Sequence, residues 1–105
     1  MDSGWLLADG EAVASAQQVG RFKARRRATR SARRGEVAVV LRTPAVVLGP
    51  LDVIRVRDGT ATAVRAAGRR PVCVVRPGTV VVVAPGTAAR HGVRRGTPVE
   101  LRWSR

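Results

Sequence analysis

Short apolar runs follow one another along this chain, and the breaks between them fall at glycine, proline and Asp-Gly pairs. Trp5-Leu6-Leu7-Ala8 leads into Asp9-Gly10, and Glu11-Ala12-Val13-Ala14 leads out. Asp-Gly between two such runs predicts a hairpin over residues 4–16, because both turn residues can take positive φ. From Glu36 onward the pattern is again that of strands. Val37 to Leu41 reads as one strand, Pro44 to Leu48 as an apolar stretch, and Leu51 to Arg57 as a strand after the Gly49-Pro50 break. Asp58-Gly59 predicts a second hairpin turn, with Thr60 to Ala66 returning. Val72 to Val75 and Thr79 to Val83 read as strands separated by Pro77-Gly78. Val99, Leu101 and Trp103 alternate with Glu100 and Arg102, the pattern of a half-buried strand whose odd positions point inward.

Two stretches break the strand pattern. Between Arg21 and Arg34, Ala24, Ala28 and Ala32 recur every four residues without a proline, which places them on one helical face. Like charges at i,i+4 (Arg21 with Arg25, Arg26 with Arg30, Arg30 with Arg34) weaken that helix, and Gly35 closes it. Near the C-terminus Thr87 can cap a short helix through Ala88-Ala89-Arg90-His91, with Gly92 as its stop. The expected fold is therefore α+β: a small, mainly antiparallel β-sheet or open barrel with one basic helix and one short C-terminal helix. At 105 residues the chain makes one domain, 1–105, with no internal repeat and no linker.

Charge changes the picture more than composition does. The net charge is +13, carried by 19 arginines and one lysine against seven acidic residues. Eight of the fourteen residues from Arg21 to Arg34 are basic and none is acidic. Two readings account for this. Codon bias in a GC-rich genome raises arginine together with alanine, valine, glycine and proline. A polyanion partner such as RNA, DNA or a membrane surface requires basic charge directly. On the second reading the contact residues are Arg21, Lys23, Arg25, Arg26, Arg27, Arg30, Arg33 and Arg34. Phe22 is the segment's one aromatic residue, so it lacks the stacking platforms of a single-strand binder, and any binding is expected to be non-specific.

Cys73 is the one cysteine, which excludes an internal disulfide, and its place in Val72-Cys73-Val74-Val75 predicts a buried, inert thiol. One cysteine and one histidine cannot make a structural zinc site without several carboxylates, so no metal or other cofactor is expected. The N-terminal residues show no basic, apolar leader pattern, and the longest apolar run, Val80 to Pro85, is too short to span a bilayer. A cytoplasmic protein is expected.

Several of these stretches, in their order and spacing, resemble the bacterial family known as domain of unknown function 192. They are Gly4-Trp5-Leu6-Leu7-Ala8-Asp9-Gly10-Glu11, the arginine-bearing helix, Pro50-Leu51-Asp52-Val53-Ile54, Asp58-Gly59, and Pro85-Gly86-Thr87 through Gly96 with Val99-Glu100-Leu101 after it. The resemblance covers nearly the whole chain and implies a compact α+β domain around a curved, mostly antiparallel sheet or open barrel. The chain departs from the family at Arg30 to Arg34, at Ala45 to Gly49, at Val82, where the family often carries glutamate, and at Thr97, where aspartate is usual. Polar positions that would make a shared site are thus mostly apolar here. The family's own activity is unknown.

The remaining candidates for chemistry are Asp52 and His91. Asp52 begins a strand and shares a face with Ile54 and Val56, which puts its carboxylate at the rim of the core. Its expected role is structural, accepting backbone N–H groups near Gly49-Pro50, with catalysis as the alternative. His91 ends the short helix, where the dipole favours a cationic ring, and is expected to be a surface cap. No phosphate-cradling glycine loop and no close carboxylate pair is present. Three functions remain open: a non-enzymatic domain of unknown role, a non-specific nucleic-acid or polyanion binder working through residues 21–34, and a ligand-binding or hydrolytic barrel using Asp52 and His91.

Overall fold

A computed structural model of the chain describes residues 3–19, 30–35, 37–68 and 70–104. Nine strands are formed by these residues: β1 (Ser3–Ala8), β2 (Glu11–Gln18), β3 (Ala38–Arg42), β4 (Ala45–Val47), β5 (Leu51–Arg57), β6 (Thr60–Ala67), β7 (Val72–Val74), β8 (Thr79–Val83) and β9 (Val99–Trp103). Seven of them make one sheet in the order β6-β5-β8-β3-β2-β1-β9, and β4 pairs with β7 as a separate two-stranded sheet. All pairings are antiparallel except β2 with β3. The fold class is the expected α+β, with the large sheet curled into a half-barrel.

Both Asp-Gly pairs close hairpins. Asp9 and Gly10 have φ of 53° and 82°, and Asp58 and Gly59 have 52° and 73°, the doubly positive turn whose twist matches paired strands. The two hairpins share a further feature. In each, the residue three after the glycine, Val13 or Thr62, is an extra residue left out of the strand register. Such bulges bend a strand and increase its twist. The hairpin ends then meet the segment leading into β9. Asp9 N–H donates to Pro98 O at 2.9 Å, Ala61 N–H to Thr97 O at 2.9 Å, Gly96 N–H to Ala61 O at 2.8 Å, and Val99 N–H to Gly59 O at 2.9 Å.

The core has two halves, one on each face of the sheet. Leu6, Ala38, Val40, Ile54, Val81 and Val83 fill the concave side. Val39, Leu41, Leu51, Val53, Val80 and Val82 face the other way, under the β4–β7 sheet, where Ala45, Val47 and Val74 cover them. This explains why Val80 to Val83 is apolar at every position: the strand is covered on both faces. Ala32, at the end of the helical residues 30–33, is fully buried in the outer half, and Gly35 N–H returns to Ala32 O at 3.0 Å where that helix stops.

Three details differ from the sequence reading. Cys73 is exposed, not buried. Its strand pairs with β4 alone, so Val72 and Val74 turn toward the large sheet while Cys73 points to solvent opposite Val46. An apolar run does not by itself distinguish a strand covered on two faces from one covered on one. Trp103 is 38% exposed. It shares a face with buried Val99, but it lies at the end of edge strand β9, opposite side-chain-free Gly4. Finally, β2 continues to Gln18, beyond the expected hairpin end at residue 16, because Ala16 to Gln18 pair with Ala38 to Val40 of β3.

Candidate functional site

Asp52 stands second in β5, on the same face as Ile54 and Val56, and is buried. Its carboxylate Oδ2 accepts a hydrogen bond from the Ala88 backbone N–H at 3.1 Å. Ala88 is the second residue of the short helix Thr87–Arg90, so Asp52 caps that helix from a distant strand. The sequence expectation placed this carboxylate near Gly49-Pro50; the N–H that it binds lies 36 residues further along the chain. The N-cap residue itself is Gly86, with φ of 85°, and not Thr87, whose hydroxyl instead accepts from Arg90 Nη2 at 3.4 Å.

The other end of this helix is a Schellman turn. Val93 N–H donates to Ala88 O at 2.7 Å and Gly92 N–H to Ala89 O at 3.2 Å, with Gly92 at φ of 65°. The turn sends buried Val93 back into the concave core beside Ala88. His91 sits just before it, exposed. It borders a hollow of about 420 Å³ with Asp9, Arg94 and Arg95, and a smaller one of about 190 Å³ with Thr87 and Arg90. The fold thus places Asp52 and His91 at opposite ends of one helix, and neither hollow beside His91 includes Asp52. Among the described residues no group of three His, Cys, Asp or Glu side chains could hold a metal ion.

Of the basic segment, Arg30, Arg33 and Arg34 are described and exposed; Arg21, Lys23, Arg25, Arg26 and Arg27 lie outside the described residues. The Arg33 guanidinium packs against Gly49, where a side chain would collide with it. Basic charge continues well beyond this segment. Of the thirteen arginines described, Arg57 and Arg102 have a carboxylate partner, at 3.9 Å from Asp58 and 3.0 Å from Glu100. The other eleven have no ion pair among the described residues.

Three of those eleven converge where sequence reasoning did not look. Arg55 on β5, Arg65 on β6 and Arg76 after β7 line a cavity of about 340 Å³ between the outer face of the large sheet and β7. The available signal was a break in alternation. Leu51 and Val53 continue the outer apolar stripe of β5, and Arg55 ends it. Nothing in the local sequence announced that Arg76 would approach from a different sheet.

The fold resembles two solved structures. One is described as a "putative transcription regulator" from Sinorhizobium meliloti 1021, 16% identical, with a TM-score of 0.66 over 95% of this chain and 92% of that one. The other is a protein of unknown function from Novosphingobium aromaticivorans DSM 12444, 18% identical, with a TM-score of 0.63 over 95% of this chain and 84% of that one. No family model and no curated protein matches the chain. At these identities the likeness is one of fold, and no named function comes with it. No helix among the described residues is long and apolar enough to cross a membrane.

Proposed function

We propose that this chain is a small non-enzymatic domain that binds polyanions, nucleic acid foremost, through arginines held on a rigid β scaffold. The observation that carries this reading is the surplus of unpaired cationic side chains. Eleven described arginines have no carboxylate partner among the described residues, on a protein of net charge +13. Arginine's planar fork suits phosphate oxygens, and an excess of one sign of charge steers polyanions to the surface. Arg30, Arg33 and Arg34 extend the reading to the basic segment, whose helical end is anchored by buried Ala32. The description of one fold neighbour as a regulator is in keeping with a nucleic-acid partner. A cytoplasmic location goes with the same reading. The order of the sequence motifs supports divergent membership of the domain of unknown function 192 family.

Heparin chromatography tests the assignment to residues 21–34. Replacing Arg25, Arg26, Arg30 and Arg33 together with glutamine is expected to bring elution to markedly lower salt while circular dichroism is unchanged. Elution at the wild-type position would show that this segment is not the contact surface.

A further inference from the structure

We propose that the cavity between the outer face of β5–β6 and strand β7 is a binding site for a small organic anion: an oxyanion head on a short apolar body. Its three arginines are among the eleven without a carboxylate partner, and none of them belongs to residues 21–34. Its volume of about 340 Å³ lies within the size range of small-molecule pockets. Its chemistry is divided. Ala63 of the large sheet and Val72 of β7, both half-buried, supply apolar surface, and Arg55, Arg65 and Arg76 supply the charge.

The placement of these arginines is what calls for an anion. Val53 pairs with Arg65 and Arg55 with Ala63, so Arg55 and Arg65 are diagonal neighbours on one face of the β5–β6 ladder. Arg76 joins them from the chain beyond β7. Arg55 is half-buried, and none of the described carboxylates lines the cavity or pairs with any of the three. Three like charges therefore share one partly enclosed space without an internal counterion. A ligand oxyanion would relieve their repulsion and accept their N–H donors in the bidentate geometry that guanidinium favours. A bare inorganic ion would leave the valine and alanine surface wet, which is why the inferred ligand carries an apolar group.

Isothermal titration calorimetry of the full chain is the test. Hexanoate and hexyl phosphate serve as the two sources of an oxyanion head; inorganic phosphate supplies the head alone and hexanol the body alone. At least one of the two amphiphilic anions is expected to bind with one-to-one stoichiometry, and the tighter of them identifies the head group. Inorganic phosphate and hexanol should each bind at least about tenfold more weakly. Arg65→Gln, at an exposed position, should raise the Kd about tenfold, and Arg76→Gln should act in the same direction. No binding of either anion overturns the proposal, as does equal affinity for inorganic phosphate or an affinity unchanged in both variants. Heparin elution of the variants in the 21–34 segment is independent of every one of these outcomes.

Discussion

The carboxylate of Asp52 holds the backbone N–H of Ala88 at 3.1 Å, tying the start of β5 to the first turn of the short C-terminal helix. A helix of four residues has too few internal hydrogen bonds to be stable alone, so it depends on this tie, on the burial of Ala88, and on the Schellman turn that returns Val93 to the core. Asp52→Ala leaves that N–H without its acceptor, which should cost about 1–3 kcal/mol. For a domain of this size each kcal/mol corresponds to a fall of about 4–8 °C in Tm. Asp58→Asn, at an exposed turn whose positive φ asparagine also accepts, should leave Tm nearly unchanged. A calorimetric comparison of the two variants checks this; equal small shifts would remove Asp52 from any structural role.

Gly4 is required by close approach. A Cβ at this position would collide with the carbonyl of Arg102 and the Cα of Trp103, backbone atoms that cannot turn aside as a side chain can. Gly4→Ala should therefore force β1 and β9 apart and cost about 1–3 kcal/mol, the range of overpacked sites. Gly68→Ala is the control, since its added Cβ meets nothing within 4 Å and its φ is not positive. Urea titration followed by tryptophan fluorescence reads both, because Trp5 and Trp103 flank the seam. A Gly4→Ala protein as stable as the Gly68→Ala control would mean that the β1–β9 register is not the one described.

Strand β7 sets up a contrast between adjacent residues. Val74 is buried under the small sheet, and Cys73 points away from it. Val74→Ala removes two buried methyl groups and should cost roughly 1–3 kcal/mol, while Cys73→Ser should stay within about 0.5 kcal/mol of wild type. Denaturation midpoints at constant slope decide it. A larger loss from Cys73→Ser than from Val74→Ala would reverse the facing of this strand.

The legible parts of this fold were those that rest on local chemistry. Two Asp-Gly turns, the valine strand Thr79–Val83 and the glycine stops at Gly35 and Gly92 each carry their reason in neighbouring residues. What was hidden depends on which strand lies over which. Val72 to Val75 and Val80 to Val83 are nearly equal in hydrophobicity, yet β8 sits mid-sheet and β7 in a two-stranded cover, so the first run leaves Cys73 exposed while the second is buried throughout. The same separation hid the candidate sites. Asp52 reaches an N–H far along the chain, and Arg76 meets Arg55 and Arg65 across two sheets. Local patterning gave the rim position of Asp52 and the surface position of His91, but not that the two would line different parts of the molecule.

Binding of a fluorescent duplex DNA measured across salt concentrations tests the central claim most directly. If about five phosphates are neutralised, log K should fall against log salt with a slope of about −4 to −5. Binding should persist near physiological salt with a Kd of about 10⁻⁵ M, in the range of non-specific association. Its strength should vary little with base sequence, because the arginines present charge and no arrangement for reading base edges. A slope near zero, or binding that vanishes before physiological salt is reached, would contradict the claim and leave the arginine content as a consequence of genome composition.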